Sequence, residues 1–238
     1  MIESKKIIYQ SAQQNFEGFI CWDNSREGPR PGVMVVHTFR GQSEFENEKA
    51  TELAKLGYLA MAIDMYGQGR RASTVEEATT LMAELDSDRI LLAQRIKLAL
   101  STLKQQKLVD PKRTAAIGFC FGGKCVLDLA RSGADVTGVV SFHGIYDPPE
   151  ATSSTITAKV LVLHGWDDPL ALPDSLTSLG EELTTARADW QIHAFGHTGH
   201  AFTNRQARDR KSGMFYQANA DRRAWLAMRN FMEEIFTD

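Results

Sequence analysis

Short, continuous apolar runs alternate with longer stretches of helical spacing along this chain, and this alternation restricts the possible folds more than any other feature. Runs such as VMVV and VLVL lack the polar–apolar alternation of a half-exposed strand and are typical of strands buried on both faces. The predicted strands are KKIIYQ, FEGFICW and residues 33–39, 58–64, 113–119, 136–144, 159–165 and 189–195. The predicted helices are residues 43–57, 75–84, 86–107, 122–132, 173–187 and 221–236. This order predicts an α/β fold with a mostly parallel, doubly wound sheet and helices on both faces.

The length and the composition are consistent with one domain, residues 1–238. Such α/β domains often run to roughly 200–250 residues without splitting, and no long linker divides the chain. Hydrophobic residues make up 43% of the sequence, which is enough for a buried core. The net charge is −3, with acidic and basic residues mixed, so we expect no nucleic-acid partner.

The first residues and the cysteines bear on the cellular location of the protein. The segment MIESKKIIYQ has no apolar core of a signal peptide, and the apolar runs are too short to cross a bilayer. Three cysteines, Cys21, Cys120 and Cys125, are too few and odd in number for a disulfide framework. We therefore expect a cytoplasmic protein without a membrane segment.

The segment GFCFGG places Cys120 between glycines, where a strand becomes a helix. A dinucleotide site requires G-x-G-x-x-G in the first strand–helix turn, and a phosphate-binding P-loop requires G-x-x-x-x-G-K-[ST]; neither spacing fits. A redox pair requires C-x-x-C, whereas four residues separate Cys120 and Cys125. The spacing does match G-x-nucleophile-x-G, the nucleophile elbow, in which the Phe121 N–H is one oxyanion donor. The remaining alternative is that Cys120 is a small buried residue of the core.

Partners for a nucleophile follow in the chain order that this type of fold requires, nucleophile, acid and base. Asp167 and Asp168 come directly after the strand 159–165, and His197 and His200 come directly after the last strand. Ligands of such sheets bind at the carboxyl ends of the strands, so these side chains are expected to meet there. No third metal ligand lies near the two histidines in sequence, and we expect neither a metal nor a cofactor.

Together these residues resemble the dienelactone hydrolases, which are cysteine members of the α/β-hydrolase fold. The resemblance covers nearly the whole chain and rests on the segments GFCFGG, HGWDDP, GHAF and AIDMYGQG. It implies that Cys120 is the nucleophile, that His200 is the base and that Asp168 orients His200. Asp168 is preferred to Asp167 because it fits the pattern G-x-x-D-P. A backbone N–H after the first long strand, at Thr38 or Phe39, is expected to be the second oxyanion donor.

Four further residues are candidates for substrate binding. The family often has a glutamate after the histidine of that first long strand, whereas this chain has His37 followed by Thr38, so a dienelactone substrate does not follow. His37 is a candidate lining residue. Two arginine-containing segments, at Arg70–Arg71 and at Arg205, occupy loops where the family places arginines to hold a substrate carboxylate. The alternative interpretation, that these arginines are solvated loop charges, is slightly favoured.

The sequence predicts a hydrolase of small esters or lactones that forms an acyl-thioester intermediate on Cys120. The predicted partner is therefore a small-molecule ester or lactone. The alternative is a protein of the same fold that does not turn substrate over, and instead binds a small ligand or senses oxidants through Cys120. The presence of all three members of the catalytic set favours the enzyme.

Overall fold

The computed structural model describes residues 1–12 and 14–237. The chain forms two compact units, Met1–Ile117 and Gly118–Asp238, which are described in turn. Strand β5 (Val109–Phe119) begins in the first unit and ends in the second. The sequence also predicts a polar turn at residues 11–15, between KKIIYQ and FEGFICW, and its residue Gln13 lies outside the described residues. The prediction of one domain over residues 1–238 stays a prediction.

The first unit contains a sheet whose strand order is β1-β2-β4-β3-β5. The bounds of its other strands are β1 Ile2–Gln10, β2 Asn15–Asp23, β3 Arg30–Val36 and β4 Leu59–Ile63. Strands β1 and β2 form an antiparallel hairpin, and β2 pairs antiparallel with β4. Strands β3 and β4 are parallel and almost entirely buried, as their continuous apolar sequences predict.

Three helices belong to the first unit. Their bounds are α1 Glu44–Lys55, α2 Val75–Asp86 and α3 Arg89–Lys104. Helix α1 begins with a capping box, in which Ser43 and Glu46 exchange hydrogen bonds. Its buried residues Ala50 and Leu53 lie on the side that packs against the sheet. The helical spacing of the sequence therefore marks the face of α1 that belongs to the core.

The second unit contains three parallel strands in the order β6-β7-β8. The bounds of its strands and helices are α4 Phe121–Arg131, β6 Gly138–Phe142, β7 Lys159–Gly165, α5 Pro173–Thr185, β8 Trp190–Phe195 and α6 Ala218–Thr237. A short hairpin, β9 (Arg208–Asp209) with β10 (Met214–Phe215), lies between β8 and α6. Helix α4 packs against β6, and α6 packs against β6 and β7. This unit is thus a parallel α/β arrangement, as predicted.

No described helix combines the length and the apolar character needed to cross a membrane.

Candidate active site

Cys120 lies at a sharp turn between β5 and α4 and is half-buried. Its backbone angles, φ 56° and ψ −115°, lie in a region that residues with a Cβ atom rarely adopt. The Cys120 N–H donates to the Phe142 carbonyl oxygen (3.0 Å), which fixes the turn against the end of β6. A Cβ atom at Gly118 would overlap the carbonyl of Gly122, so strand and helix approach this closely only because residue 118 is glycine. These are the features of a nucleophile elbow.

Cys120 is also the residue that caps the N-terminus of α4. The predicted helix start at Gly122 is displaced by one residue, since α4 begins at Phe121. The N-terminus of a helix carries a partial positive charge, and its first N–H groups have no acceptor within the helix. This position therefore favours a negatively charged sulfur on Cys120 and an oxyanion formed beside it.

Asp168 and His200 form a buried pair. The Nδ1 atom of His200 lies 2.7 Å from Oδ2 of Asp168, and the two residues are 3% and 0% exposed. The other carboxylate oxygen, Oδ1, accepts a hydrogen bond from the Leu170 N–H (2.8 Å). Asp167 and His197, the alternatives that the sequence offers, are exposed. The structure therefore pairs the aspartate and the histidine that the sequence motifs favour.

The loops that carry this pair pack closely at the end of β7. The Asp168 N–H donates to the Gly165 carbonyl oxygen (3.1 Å), which closes a tight turn. A Cβ atom at Gly165 would lie 2.5 Å from the carbonyl oxygens of Thr198 and Gly199. A glycine is therefore required at this point for the loop after β8 to bring His200 over Asp168.

The imidazole of His200 also interacts with Cys120. Asp168 contacts Nδ1, and the other ring nitrogen, Nε2, is buried. Burial by itself lowers the pKa of His200, but the charge of Cys120 and hydrogen bonds to Asp168 and Cys120 raise it to about 10. The protonated, positively charged form of His200 is therefore favoured at neutral pH, and such a charge would stabilise a negative sulfur beside it.

Two further buried histidines lie close to the Asp168–His200 pair. The ring of His143 meets that of His200 edge-on, with the centroids 5.0 Å apart, and its Nε2 atom lies 2.8 Å from Oγ1 of Thr203. The Nδ1 atom of His164 lies 3.0 Å from the hydroxyl of Tyr146. Burial lowers the pKa of both histidines; the charge of His200 lowers both further, whereas that of Asp168 opposes the shift at His164. Both rings are therefore neutral at neutral pH.

In the sequence, His143 and His164 are visible only as polar residues near the ends of the predicted strands 136–144 and 159–165. Their proximity to the Asp168–His200 pair had no signal in the sequence, because it depends on which loops follow the neighbouring strands. Thr203 and Tyr146 belong to no motif and were not predicted at all. The only feature that could have identified Thr203 is its position three residues after His200.

The predicted oxyanion segment at residues 37–39 belongs to the first unit. The Nε2 atom of buried His37 accepts a hydrogen bond from the Met65 N–H (3.1 Å), so its proton is on Nδ1, which donates to the Thr38 carbonyl oxygen (2.6 Å). Burial lowers the pKa of His37 to about 4. The Thr38 N–H donates to Oε1 of Glu46 (3.3 Å) and so already has an acceptor. The prediction of an oxyanion donor in this segment now rests on Phe39.

The first two candidate arginines form contacts within the first unit. Arg70 forms a two-point ion pair with Glu84, with distances of 3.0 and 2.8 Å. Arg71 donates to the carbonyl oxygens of Glu17 (3.1 Å) and Arg70 (3.0 Å). These contacts give both side chains a role in fixing their own loop, so neither is simply a solvated charge, and their part in substrate binding stays a prediction. In the second unit, Arg205 is exposed.

Comparisons with known proteins identify relatives of similar sequence and fold. The solved structure named "m3DLH" is 36% identical in sequence, with a TM-score of 0.94 and 99% of each chain covered. A dienelactone hydrolase-like promiscuous phosphotriesterase from metagenomic libraries is 35% identical, with the same TM-score and coverage. The uncharacterized protein K02A2.1 of Caenorhabditis elegans is 34% identical over 149 residues, which are 61% of this chain and 94% of that protein.

These structural likenesses confirm the predicted α/β-hydrolase fold. The model of the dienelactone hydrolase family matches residues 16–236, which is most of the chain. The chain therefore belongs to the dienelactone hydrolase family and is a hydrolase of lactones or esters.

Proposed function

We propose that the chain hydrolyses small carboxylic esters and lactones by covalent catalysis, with Cys120 as nucleophile, His200 as acid and base, and Asp168 as the residue that orients His200. The observation that carries this proposal is the position of His200 between two partners. It forms a buried hydrogen bond of 2.7 Å with Asp168, and it also interacts with the half-buried thiol of Cys120. An oriented base beside a nucleophile on a strained turn is the arrangement that acyl transfer requires.

In the first half of the reaction, the Cys120 thiolate attacks the carbonyl carbon and a carbon–sulfur bond forms. The negative charge moves to the carbonyl oxygen, where the Phe121 N–H and the positive end of α4 stabilise it. When this intermediate collapses, the carbon–oxygen bond to the leaving alcohol breaks, and His200 donates its Nε2 proton to the departing alkoxide. In a lactone the alcohol stays attached to the acyl group.

In the second half, water releases the acyl group. The neutral His200 takes a proton from water, whose oxygen attacks the thioester carbon. The carbon–sulfur bond then breaks, the carboxylic acid leaves and the thiolate is restored beside the imidazolium ion. Asp168 stays ionised throughout, because its role is to hold Nδ1 of the ring and to stabilise the positive charge.

Thr38, the residue after His37, bears on which substrates the chain accepts. Thr38 is neutral and cannot supply the carboxylate that the family often has at this position, so we propose broad activity on small activated esters and lactones. A second candidate class is phosphotriesters, since a relative 35% identical over 99% of the chain is described as a promiscuous phosphotriesterase. Cytoplasmic location stays a prediction.

Trapping of the acyl-enzyme tests the proposal. We expect p-nitrophenyl acetate to give a burst of one p-nitrophenolate per chain, followed by steady turnover if deacylation is the slower step. Acid quenching and peptide mapping by mass spectrometry should place the acetyl group on Cys120, in a form that neutral hydroxylamine removes. Turnover without an adduct on Cys120 would contradict the mechanism. One acetylation event without turnover would favour a ligand-binding or sensing protein.

The raised pKa of His200 predicts an unusual pH dependence of Cys120 reactivity. A raised pKa favours the protonated ring, so the imidazolium ion persists as the pH rises until about 10 and holds the sulfur as a thiolate. We therefore expect alkylation of Cys120 by iodoacetamide to be nearly constant between roughly pH 7 and 9, without the increase that an ordinary thiol of pKa ~8.5 shows. Mass-spectrometric mapping at each pH measures this.

Two internal comparisons are available in the same experiment. Cys21 and Cys125 are buried, and burial raises the pKa of Cys21 to about 11, so both should react slowly across this range. His200→Gln should restore the ordinary increase at Cys120, because the neutral amide cannot hold a thiolate. The prediction would be wrong if the alkylation rate of Cys120 in the wild type increased about tenfold per pH unit below the thiol pKa.

A further inference from the structure

His143 occupies a strained and fully enclosed position beside His200. It directly follows β6, it is 2% exposed, and its φ of 37° is unusual for a residue with a Cβ atom. Its N–H donates to the Leu163 carbonyl oxygen of β7 (2.9 Å). The preceding residue, Phe142, accepts the hydrogen bond of the Cys120 N–H. The end of β6 therefore contacts the turn that carries Cys120 through Phe142, and the ring of His200 through His143.

The side chain of His143 makes three contacts with the loop that carries His200. Its ring meets the His200 ring edge-on at 5.0 Å between centroids and the Phe202 ring edge-on at 5.1 Å. Its Nε2 atom lies 2.8 Å from Oγ1 of Thr203, which is itself 2% exposed. The ring and the hydroxyl thus hold the turn at residues 200–203 from one side.

The backbone of this turn is held from another direction. The His200 carbonyl oxygen accepts a hydrogen bond from the Phe215 N–H of β10 (3.2 Å), and the Phe202 carbonyl oxygen accepts one from Gln217 (3.1 Å). These bonds fix the path of the chain but leave the torsion angles of the His200 side chain open. Asp168, Cys120 and the ring of His143 act on the His200 ring itself.

We propose that His143 is a positioning residue for His200. Its hydrogen bond to Thr203 and its edge-on ring contact hold the His200 imidazole in the orientation that serves both Asp168 and Cys120. This inference rests on the proposed function. It gives a buried histidine outside the catalytic set a task that a core residue of the same size would not perform.

The neutral state of His143 suits this task. Burial, and after it the charge of His200, hold the pKa of His143 well below its ordinary value. A second positive ring at 5.0 Å would repel the imidazolium ion of His200. The Nδ1 atom of His143 is buried without a partner among the described residues, so the contact with Thr203 is its one side-chain hydrogen bond there. Loss of that bond leaves the ring held by packing alone.

Two variants each remove one partner of the hydrogen bond between His143 and Thr203. Thr203→Val keeps the shape of the side chain and loses the hydroxyl, while His143→Phe keeps a ring and loses Nε2. We expect each variant to lower kcat for p-nitrophenyl acetate about tenfold and to leave KM within about twofold, because a small misplacement of a catalytic group acts mainly on the chemical step. The double variant should also lose about tenfold, since both changes break one interaction.

Conservative variants are the matched controls. Thr203→Ser retains the hydroxyl, and His143→Gln can still reach Oγ1 with its amide, so both should stay within about threefold of the wild-type kcat. Thermal unfolding of each variant confirms that the chain is folded at the assay temperature. If the role were merely structural, Thr203→Val and His143→Phe would have a lower melting temperature. Their kcat values would then not differ from those of Thr203→Ser and His143→Gln.

Alkylation of Cys120 at pH 8 separates this inference from the proposed function, because it is read without turnover. We expect Thr203→Val and His143→Phe to alkylate about tenfold more slowly, since a misplaced His200 no longer holds the thiolate. Unchanged kcat and alkylation, a rise in KM alone, or a hundredfold loss in the double variant would each overturn the positioning role. Esterase activity in Cys120→Ala would instead overturn the proposed function. The alkylation rates of the His143 and Thr203 variants would still show whether His143 positions His200.

Discussion

Replacement of Cys120 by alanine is expected to reduce esterase activity at least about a thousandfold, because it removes the sulfur that we propose as the nucleophile. What remains should come from binding and from the oxyanion donors alone. Initial rates with p-nitrophenyl acetate for the purified variant, compared with the rate in buffer, measure the loss. The variant should fold normally, since alanine also fits a half-buried position.

Cys125→Ala is the matched control for this change. Cys125 lies one turn further along α4, is fully buried and has no place in the proposed chemistry. We expect its activity to stay within about twofold of the wild type at temperatures where it is folded. If Cys120→Ala kept more than a tenth of the wild-type rate, the chain would be using a different nucleophile.

Asp168→Asn is expected to lower kcat by about 10²–10⁴-fold, because the amide can present its N–H₂ to Nδ1 and so favours the wrong tautomer of His200. The change also removes the negative charge that supports the imidazolium ion, so the pKa of His200 should fall. Steady-state kinetics with p-nitrophenyl acetate give the loss in kcat. Alkylation of Cys120 at pH 8 should slow in parallel.

The neighbouring aspartate provides an unusually close control. Asp167→Asn makes the same chemical change one residue earlier, at an exposed side chain, and should alter kcat by no more than about twofold. The assignment would be wrong if the effects of the two variants were equal or reversed. The two aspartates are adjacent in sequence, so a difference between them reflects geometry and not the overall charge of the loop.

Much of the fold could be predicted because burial leaves a clear mark on the sequence. Strand β7 has the predicted bounds, 159–165, since all its residues after Lys159 are buried and the run is continuously apolar. Strand β5 begins at Val109, four residues earlier than predicted, because its first part contains Pro111 and charged residues that are typical of a loop. The two-residue strands β9 and β10 were missed, since two residues carry no periodicity.

Strand β3 shows a different kind of error. It was predicted at residues 33–39 but ends at Val36, so His37, Thr38 and Phe39 follow the strand instead of belonging to it. His37 and Thr38 are polar and Phe39 is aromatic, so the sequence marks no clear end of the strand. In the structure the three residues form hydrogen bonds with Met65, Glu46 and Tyr66. A pattern of hydrophobic residues cannot distinguish a strand from a loop that is fixed by distant partners.

The candidate site was predictable where a motif fixes the local backbone. Gly118 and Gly122 mark the elbow, and the two loops with Asp168 and His200 carry short motifs in the required order. The contacts of His143 with Thr203 and His200 could not be predicted, because they join residues about sixty positions apart. Such contacts depend on packing between loops, which leaves no periodic signal in either segment.

The backbone of Cys120 has a consequence for the evolution and engineering of this protein. Its angles of φ 56° and ψ −115° suit glycine, and a residue with a side chain there costs the folded state about 1–3 kcal/mol. Glycine would adopt these angles without that cost, but it would leave no side chain at the position of the proposed nucleophile. Under the proposed mechanism, selection for thermal stability alone would therefore act against the thiol. Stabilising changes should therefore be sought away from this turn.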